Sequence, residues 1–347
     1  MTVPSERARP RPVTIAHLAE LAGVSIPTVS KVINGRSDVA PATRQRVEAA
    51  IRTAGYQRPE KPESRANLLE LIFHELESPW ALEIILGVEQ VATAHGQAVV
   101  LSELQGRSTP GQGWIEAAIA RNPTGVISVF PELTDAQREQ LATRSIPFVT
   151  VDPTGEPVHR TPSVGATNWS GGFAATRHLI ELGHRRIAMI GGPNTIMCCR
   201  ARLDGYRAAM DTAGLPIDET LIRPGDLHVE EGVSLGAELL RLADPPTAVF
   251  AANDLQALGV YQAARDAGVR IPDQLSVVGF DDLSVARWAV PGLTTIRQPL
   301  VDMARAAATM VLAIAGGNPP RPSRIELATT LVVRHSTGPA ARDQGRR

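Results

Sequence analysis

From Leu68 onward the chain alternates short apolar runs with amphipathic helical stretches, and this alternation restricts its fold more than any other feature. The strand-like runs are LLELIFH, AVVLS, GVISVF, PFVTVD, RIAMIGG, AVFAA, LSVVGFDD and LTTIRQP. Helical periodicity lies between them, as over 81–95, 171–182 and 255–267. Strands alternating with helices imply parallel sheets wound on both faces, an α/β body. About 270 residues of this pattern exceed what one core usually fills, so two lobes are expected. In such sheets, ligands bind beyond the carboxyl ends of strands, where loops converge.

Charge divides the chain of 347 residues differently. Residues 1–65 hold 11 Lys/Arg against 6 Asp/Glu, a net of +5, and the remainder holds 24 against 30, a net of −6. A small basic head on a larger acidic body is the footprint of a nucleic-acid-binding module joined to something else. No run approaches the roughly 18 apolar residues of a membrane span. The start, MTVPSERARPRPVT, is basic and lacks the apolar stretch of a signal peptide. Cys198 and Cys199 are adjacent, which suits a reducing compartment better than a structural bridge. A cytoplasmic globular protein is therefore expected.

Within residues 14–56 the spacing predicts three short helices. Thr14 caps the first, with Ile15, Leu18, Ala19 and Ala22 at helical intervals and Gly23 as its stop. Ser25 caps the second, with Pro27 in its first turn and Val29, Val32 and Ile33 turned inward. Pro41 opens the third, whose inner face is Val47, Ala50 and Ile51. Helix, tight glycine turn, helix with small polar residues outside is helix-turn-helix geometry.

The run TIAHLAELAGVSIPTVSKVINGRSDVAPATRQRVEAAIRTAGY resembles the DNA-binding head of LacI/GalR-type (lactose/galactose-repressor) transcription regulators, with A-G-V-S-x-x-T-V-S-K-V-I-N unbroken from Ala22 to Asn34. The resemblance extends to residue 337 through SPWALEIILGVEQVA, ELGHRRIAMIGGP, RARLDGY, AANDLQALG, SVVGFDD, PGLTTIRQP and IELATTLVVRHST. It implies a head over 1–57, a hinge or linker over 58–67, a periplasmic-binding-protein-like body over 68–337 and a disordered tail over 338–347. The body would comprise an N-lobe (about 68–166 and 298–327) and a C-lobe (about 167–297 and 328–337).

The resemblance places the second helix in the major groove. Thr14, Ser25, Ile26, Pro27, Thr28, Ser30, Lys31 and Asn34 become the DNA-binding candidates. Lys31 has the reach for guanine or phosphate, Thr28, Ser30 and Asn34 suit phosphate positioning, and Ile26 and Pro27 offer apolar contact alone. His17 stands where the family usually has an acidic residue. In the family the linker folds as a hinge helix whose leucine wedges into the minor groove. Here Pro62 falls inside that helix and Arg65 takes the leucine position. Two readings stay open: Arg65 in a narrow minor groove, or a flexible tether.

The same resemblance carries Asp152, Arg202, Asn253 and Asp281 to the interlobe cleft as effector contacts. Each is suited to vicinal hydroxyls, and each could instead cap or pair at a strand end. Asp254 reads as the cap of the helix that follows it. Trp80, Trp169 and Trp288 fall on cleft loops, where their faces could stack on pyranose rings, or could be core; Trp114 falls on a helix elsewhere. Three stackers suggest a disaccharide or longer. Asp152, Asp281 and Arg202 sum to −1, which disfavours an anionic effector.

No G-x-G-x-x-G, P-loop or paired-histidine metal spacing is found, so neither catalysis, a cofactor nor a metal is expected. The implied protein is a homodimeric repressor that binds a pseudo-palindromic operator in double-stranded DNA and is released by a neutral sugar. The alternatives are a sugar-binding protein without a regulatory role and a regulator of a non-sugar effector. The tail TGPAARDQGRR lacks apolar heptads, so no tetramerising coiled coil is expected.

Overall fold

The computed structural model describes residues 13–34, 36, 39–54, 56, 65–104, 109–130, 133–152 and 161–340. The head consists of α1 (Ile15–Ala22), α2 (Ile26–Ile33) and α3 (Pro41–Ala54) around a small core that includes Leu18, Val29, Val32, Val47 and Ile51. The chain then builds a first lobe from β1 (Ala66–Phe73), α4 (Pro79–Ala94), β2 (Ala98–Glu103), α5 (Gln112–Arg121), β3 (Pro123–Val129), α6 (Asp135–Thr143), β4 (Phe148–Val151) and β5 (Ser163–Ala166). A second lobe follows: α7 (Asn168–Glu181), β6 (Ile187–Ile190), α8 (Met197–Thr212), a 3-10 turn (Glu219–Leu221), β7 (Ile222–Arg223), α9 (Val229–Leu240), β8 (Ala248–Ala251), α10 (Asp254–Asp266), β9 (Ser276–Asp281), α11 (Ser284–Trp288) and β10 (Thr294–Arg297). Finally α12 (Leu300–Ala315) and β11 (Arg324–Leu327) return to the first lobe, and β12 (Thr330–Val332) to the second.

The first sheet runs β11-β5-β4-β3-β1-β2 and is parallel throughout. The second runs β12-β10-β9-β8-β6-β7 and is parallel except for β12, which lies antiparallel on β10. Central strands such as β3 and β8 are buried along their full length, which is why they read as unbroken apolar runs rather than alternating ones. The chain passes between lobes three times, at 166–168, 297–300 and 327–330. Parallel order brings the carboxyl ends of β4 and β9 to the space between the sheets, with Asp152 just past one end and Asp281 closing the other.

Several details depart from the sequence expectations. β1 begins at Ala66, so residues 66 and 67 belong to the sheet and not to a linker. The tail expected from 338 stays on the second lobe through Ala340: the Ala340 amide donates to Leu182 at 2.9 Å and the Gly338 amide to the Ser276 hydroxyl at 3.1 Å. Pro62 and residues 341–347 lie outside the described residues.

Candidate functional site

Two surfaces gather the side chains singled out in the sequence, one on the head and one between the lobes. On the head, Thr14 opens α1 by accepting the His17 amide at 3.3 Å. Gly23 closes it at φ +63°, a left-handed conformation that a β-carbon would strain. Ser25 then opens α2, accepting the Thr28 amide at 3.3 Å, and its hydroxyl shares a hydrogen bond with that of Thr28 at 2.9 Å. Burying Val29, Val32 and Ile33 leaves Ile26, Pro27, Ser30, Lys31 and Asn34 on the opposite stripe of the helix. Ile26, Pro27, Lys31 and Asn34 are exposed, and Asn34 Nδ2 donates to Ser30 Oγ at 3.3 Å. The stripe carries no carboxylate, so its hydroxyls and Lys31 can approach phosphates and base edges without repulsion.

Arg65 does not share this stripe. Its Nη2 donates to the Ser145 carbonyl at 2.9 Å and its Nη1 to the Ala315 carbonyl at 3.2 Å. Both acceptors belong to the first lobe, one after α6 and the other in the last turn of α12. The arginine at the wedge position is therefore tied to the body.

Between the lobes, Arg202 is the hub. Close helix packing sets its place: a β-carbon on Gly172 would come within 2.2 Å of the Arg202 carbonyl, and one on Gly205 within 2.2 Å of the Trp169 carbonyl. These glycines let α7 and α8 touch backbone to backbone, which puts Asn168 beside Arg202. The Arg202 guanidinium is buried, donating to Asn168 Oδ1 (2.9 Å), the Ala252 carbonyl (2.6 Å) and Gln298 Oε1 (2.9 Å), with its carbon 3.7 Å from the centre of the Phe280 ring. Gln298, at a lobe crossing, donates in turn to Asp152 Oδ2 at 3.1 Å.

Asp281 completes the cluster with Oδ1 3.7 Å from Arg202 Nη2, and this buried oxygen accepts no hydrogen bond from the described residues. Both carboxylates stand on backbones with positive φ, +44° at Asp152 and +108° at Asp281, strain that the surrounding strand ends hold in place. Burial pushes the Asp281 carboxyl up to about 7, against the pull of Arg202 and with help from Asp152. Burial likewise raises Asp152 to about 6, offset by Arg202 and Gln298. Near neutrality the cluster is close to uncharged, and it combines fixed donors with a buried open acceptor.

The other candidates take different places. Asn253 caps α10, accepting the Gln256 amide at 2.8 Å while its Nδ2 donates to the Leu227 carbonyl at 2.8 Å. Asp254, expected as that cap, is instead buried crosswise, accepting from the Leu283 amide (2.8 Å) and the Thr295 hydroxyl (2.5 Å). Trp80 is buried and stacked on Phe130 at 4.9 Å, in a cluster that also takes in Leu283 of the second lobe. Trp169 follows Asn168, half-exposed and stacked on Phe173 at 5.4 Å. Trp288 is 73% exposed at the end of α11, close in sequence to Val290 at 90%.

The structure thus unites Asp152, Arg202 and Asp281 and adds Asn168 and Gln298, which the sequence reading missed. Gln298 sits in the quoted motif TTIRQP, but nothing local marks it, because its partners lie 96 and 146 residues away. At the cleft's edge His228 Nε2 and Glu75 Oε2 join the lobes at 3.1 Å. A separate cavity of about 390 Å3 lies along α8, lined by Cys199, Arg200, Arg207 and Arg223 among others, and it includes none of the cluster.

Residues 14–59 match the family "Bacterial regulatory proteins, lacI family", and residues 176–337 match "Periplasmic binding protein-like domain". The chain is 37% identical over 342 residues to the HTH-type transcriptional regulator CelR of Thermobifida fusca, covering 95% of this chain and 99% of that protein. It superposes on a CelR–cellobiose complex with a TM-score of 0.71 at 36% identity, over 93% of this chain and 99% of the other. A lac repressor dimer bound to operator and the anti-inducer ONPF gives 0.69 at 28% identity, over 94% and 100% of the two chains.

Proposed function

The chain belongs to the LacI family of DNA-binding transcriptional repressors, and from that premise we propose that it works in the cytoplasm as a homodimer released from a pseudo-palindromic operator by a neutral sugar of the cellobiose class. It is a regulator and not an enzyme. The observation that carries the sugar reading is the buried Asp281 Oδ1, open as an acceptor beside the arginine hub. A sugar hydroxyl supplies the missing donor while its neighbours accept from Arg202 or donate to Asp152. An anion would gain little, because two carboxyl groups face it. Trp169, one residue from Arg202's partner Asn168, is the aromatic face placed to stack on a ring. The CelR neighbour, whose complex holds cellobiose, supports a disaccharide. Thr14, Ser25, Thr28 and the α2 stripe then hold the DNA.

Exposed apolar side chains support the dimer. Leu82 and Leu86 lie one turn apart on α4 with Leu101 on the edge strand β2, and Trp288 and Val290 lie on the second lobe. One apolar patch per lobe suits a two-fold contact along both. Trp288 accordingly belongs to this contact and not to sugar stacking.

Fluorescence anisotropy of the full chain on a duplex from upstream of its own coding sequence tests the proposal. It is run across a salt series with cellobiose, maltose, glucose or a sugar phosphate at millimolar concentration. Salt-dependent binding abolished by cellobiose is expected. Specific binding that no neutral sugar perturbs would sink the effector assignment. Sedimentation of Trp288→Arg as a monomer, against a wild-type dimer, checks the contact.

A further inference from the structure

The head touches the first lobe through charged groups that DNA reading and sugar binding leave unexplained. Arg52, in the last turn of α3, places Nη1 3.3 and 3.1 Å from the two carboxylate oxygens of Glu139 on α6. Arg144, which follows α6, donates from Nη2 to the Val32 carbonyl at 3.0 Å, while its Nη1 is anchored on the Gln140 carbonyl at 2.8 Å. Val32 lies in the last turn of α2, where carbonyls lack helical partners and the helix end favours a cation. The DNA-reading helix is thus capped by a side chain of the body. Glu48, one turn before Arg52, joins the cluster. Burial raises its carboxyl, Arg44 lowers it, and Glu139, Arg52 and Arg144 all act on it.

The next residue, Ser145, accepts from Arg65 at the root of the linker. One turn of chain therefore holds both the head and the linker's end. Ile146 and Pro147 lead from it into β4, which ends at Val151, just before Asp152 in the cleft. Four strand residues at about 3.3 Å each span about 13 Å. β4 is hydrogen-bonded to β3 and β5 on its two sides.

We propose that α6 and the turn after it form a docking surface for the chain's own head, and that β4 connects this surface to the cleft. Lobe movement at Asp152 then reaches the DNA-reading helix directly, with no need for a folded linker. That suits a connector that contains Pro59 and Pro62. Docking leaves Ile26, Pro27, Lys31 and Asn34 exposed, so the docked head presents its reading stripe to DNA. Arg52 and Glu139 are each about half-exposed, which makes the contact weak and salt-sensitive, as a reversible one must be.

The coupling half of this inference rests on the sugar-released repressor reading, so the test has two arms. The full chain is compared with Glu139→Arg, Arg52→Glu and the double charge swap. In the first arm, hydrogen exchange is followed at residues 30–34 and 139–146 without DNA or sugar. Each single variant is expected to exchange at least threefold faster there, and the swap to restore protection. In the second arm, operator affinity is measured with and without cellobiose. The ratio of the two affinities is expected to fall at least threefold in each single variant and to recover in the swap, with cellobiose affinity unchanged. Unchanged exchange in both single variants would overturn docking. A ratio that never moves, or that the swap fails to restore, would overturn coupling. A wild-type chain whose operator binding ignores the sugar would defeat the repressor reading together with coupling, and the exchange arm would still decide docking.

Discussion

On the head, the polar side chains of α2 and its cap answer one another within a single turn, Ser25 with Thr28 and Asn34 with Ser30, and they remain at the surface. In the cleft, Arg202 bonds to groups 34, 50 and 96 residues away, all out of water. Each head contact is weak and replaceable, so it can be exchanged for a phosphate at small cost. The cleft network is buried and mutually dependent. Removing one member strands the others. On the proposed reading, a sugar that meets the open Asp281 oxygen would bias the arrangement of the lobes, while DNA that meets α2 would leave the head's own fold intact.

The hardest test of this contrast is Arg202→Ala. Stranding Asp152, Asp281, Asn168 and Gln298 should destabilise the body by about 3–5 kcal/mol and abolish sugar binding. Urea unfolding and titration calorimetry read both effects, and Arg202→Lys should not restore binding, because one ammonium cannot reach three acceptors at fixed angles. A wild-type unfolding midpoint would break the comparison.

The next effect is on pH dependence. Asp152 and Asp281 are raised from 3.8 to about 6 and about 7, so the folded state holds their protons more tightly than the unfolded chain does. Their contribution to stability is full below about pH 4 and is lost as pH rises through about 6 to 7. Urea midpoints across this window should fall with pH, and Asp281→Asn, fixed in the neutral form, should flatten the decline. A hydroxyl donated to Asp281 favours its charged form. Sugar binding at pH 6.5 should therefore release protons, visible as a heat that changes with the ionisation enthalpy of the buffer.

On the head, Ser25→Ala removes the α2 cap and should cost about 1 kcal/mol of head stability. Operator affinity should weaken while sugar affinity stays constant; a change in the latter would erase the separation between the regions. The smallest effect concerns the pair across the cleft edge. Burial works against the charged His228 ring, yet Glu75 and Asp226 raise its pKa above 6.5. Its help in holding the lobes together is full below that value and fades as pH rises through the folded one. For a half-exposed pair, His228→Gln should weaken sugar binding less than about threefold at pH 6 and not at all at pH 9.

The two regions were also unequally legible. Caps, the glycine stop and the inward stripe of the head are relations between residues three or four apart, and a sequence displays such relations directly. The strand runs of the body were legible because strands buried on both faces must be apolar. β5 (SVGA) and β7 (IR) escaped notice, being too short to form a run. In the cleft, Asp152, Arg202 and Asp281 were reached through motifs, whereas Asn168 and Gln298 carry no local mark. At the neighbouring residues Asn253 and Asp254 the cap expected of the aspartate fell to the asparagine, and the aspartate became a buried crosslink to β10 and the loop after β9.

The sequence by itself determined the helix-turn-helix head and the α/β body, because periodicity, capping and turn chemistry act over a few residues, and its motifs carried the resemblance to the family. Only the tertiary structure decided what each polar group faces. Arg65 lies on body carbonyls, Trp288 stands exposed on the second lobe, Arg144 lies on the end of α2, and Asp281 keeps an oxygen without a donor among the described residues. The physical reason is that burial and hydrogen-bond partnership belong to pairs of residues, and here the partners lie up to 250 positions apart in the chain.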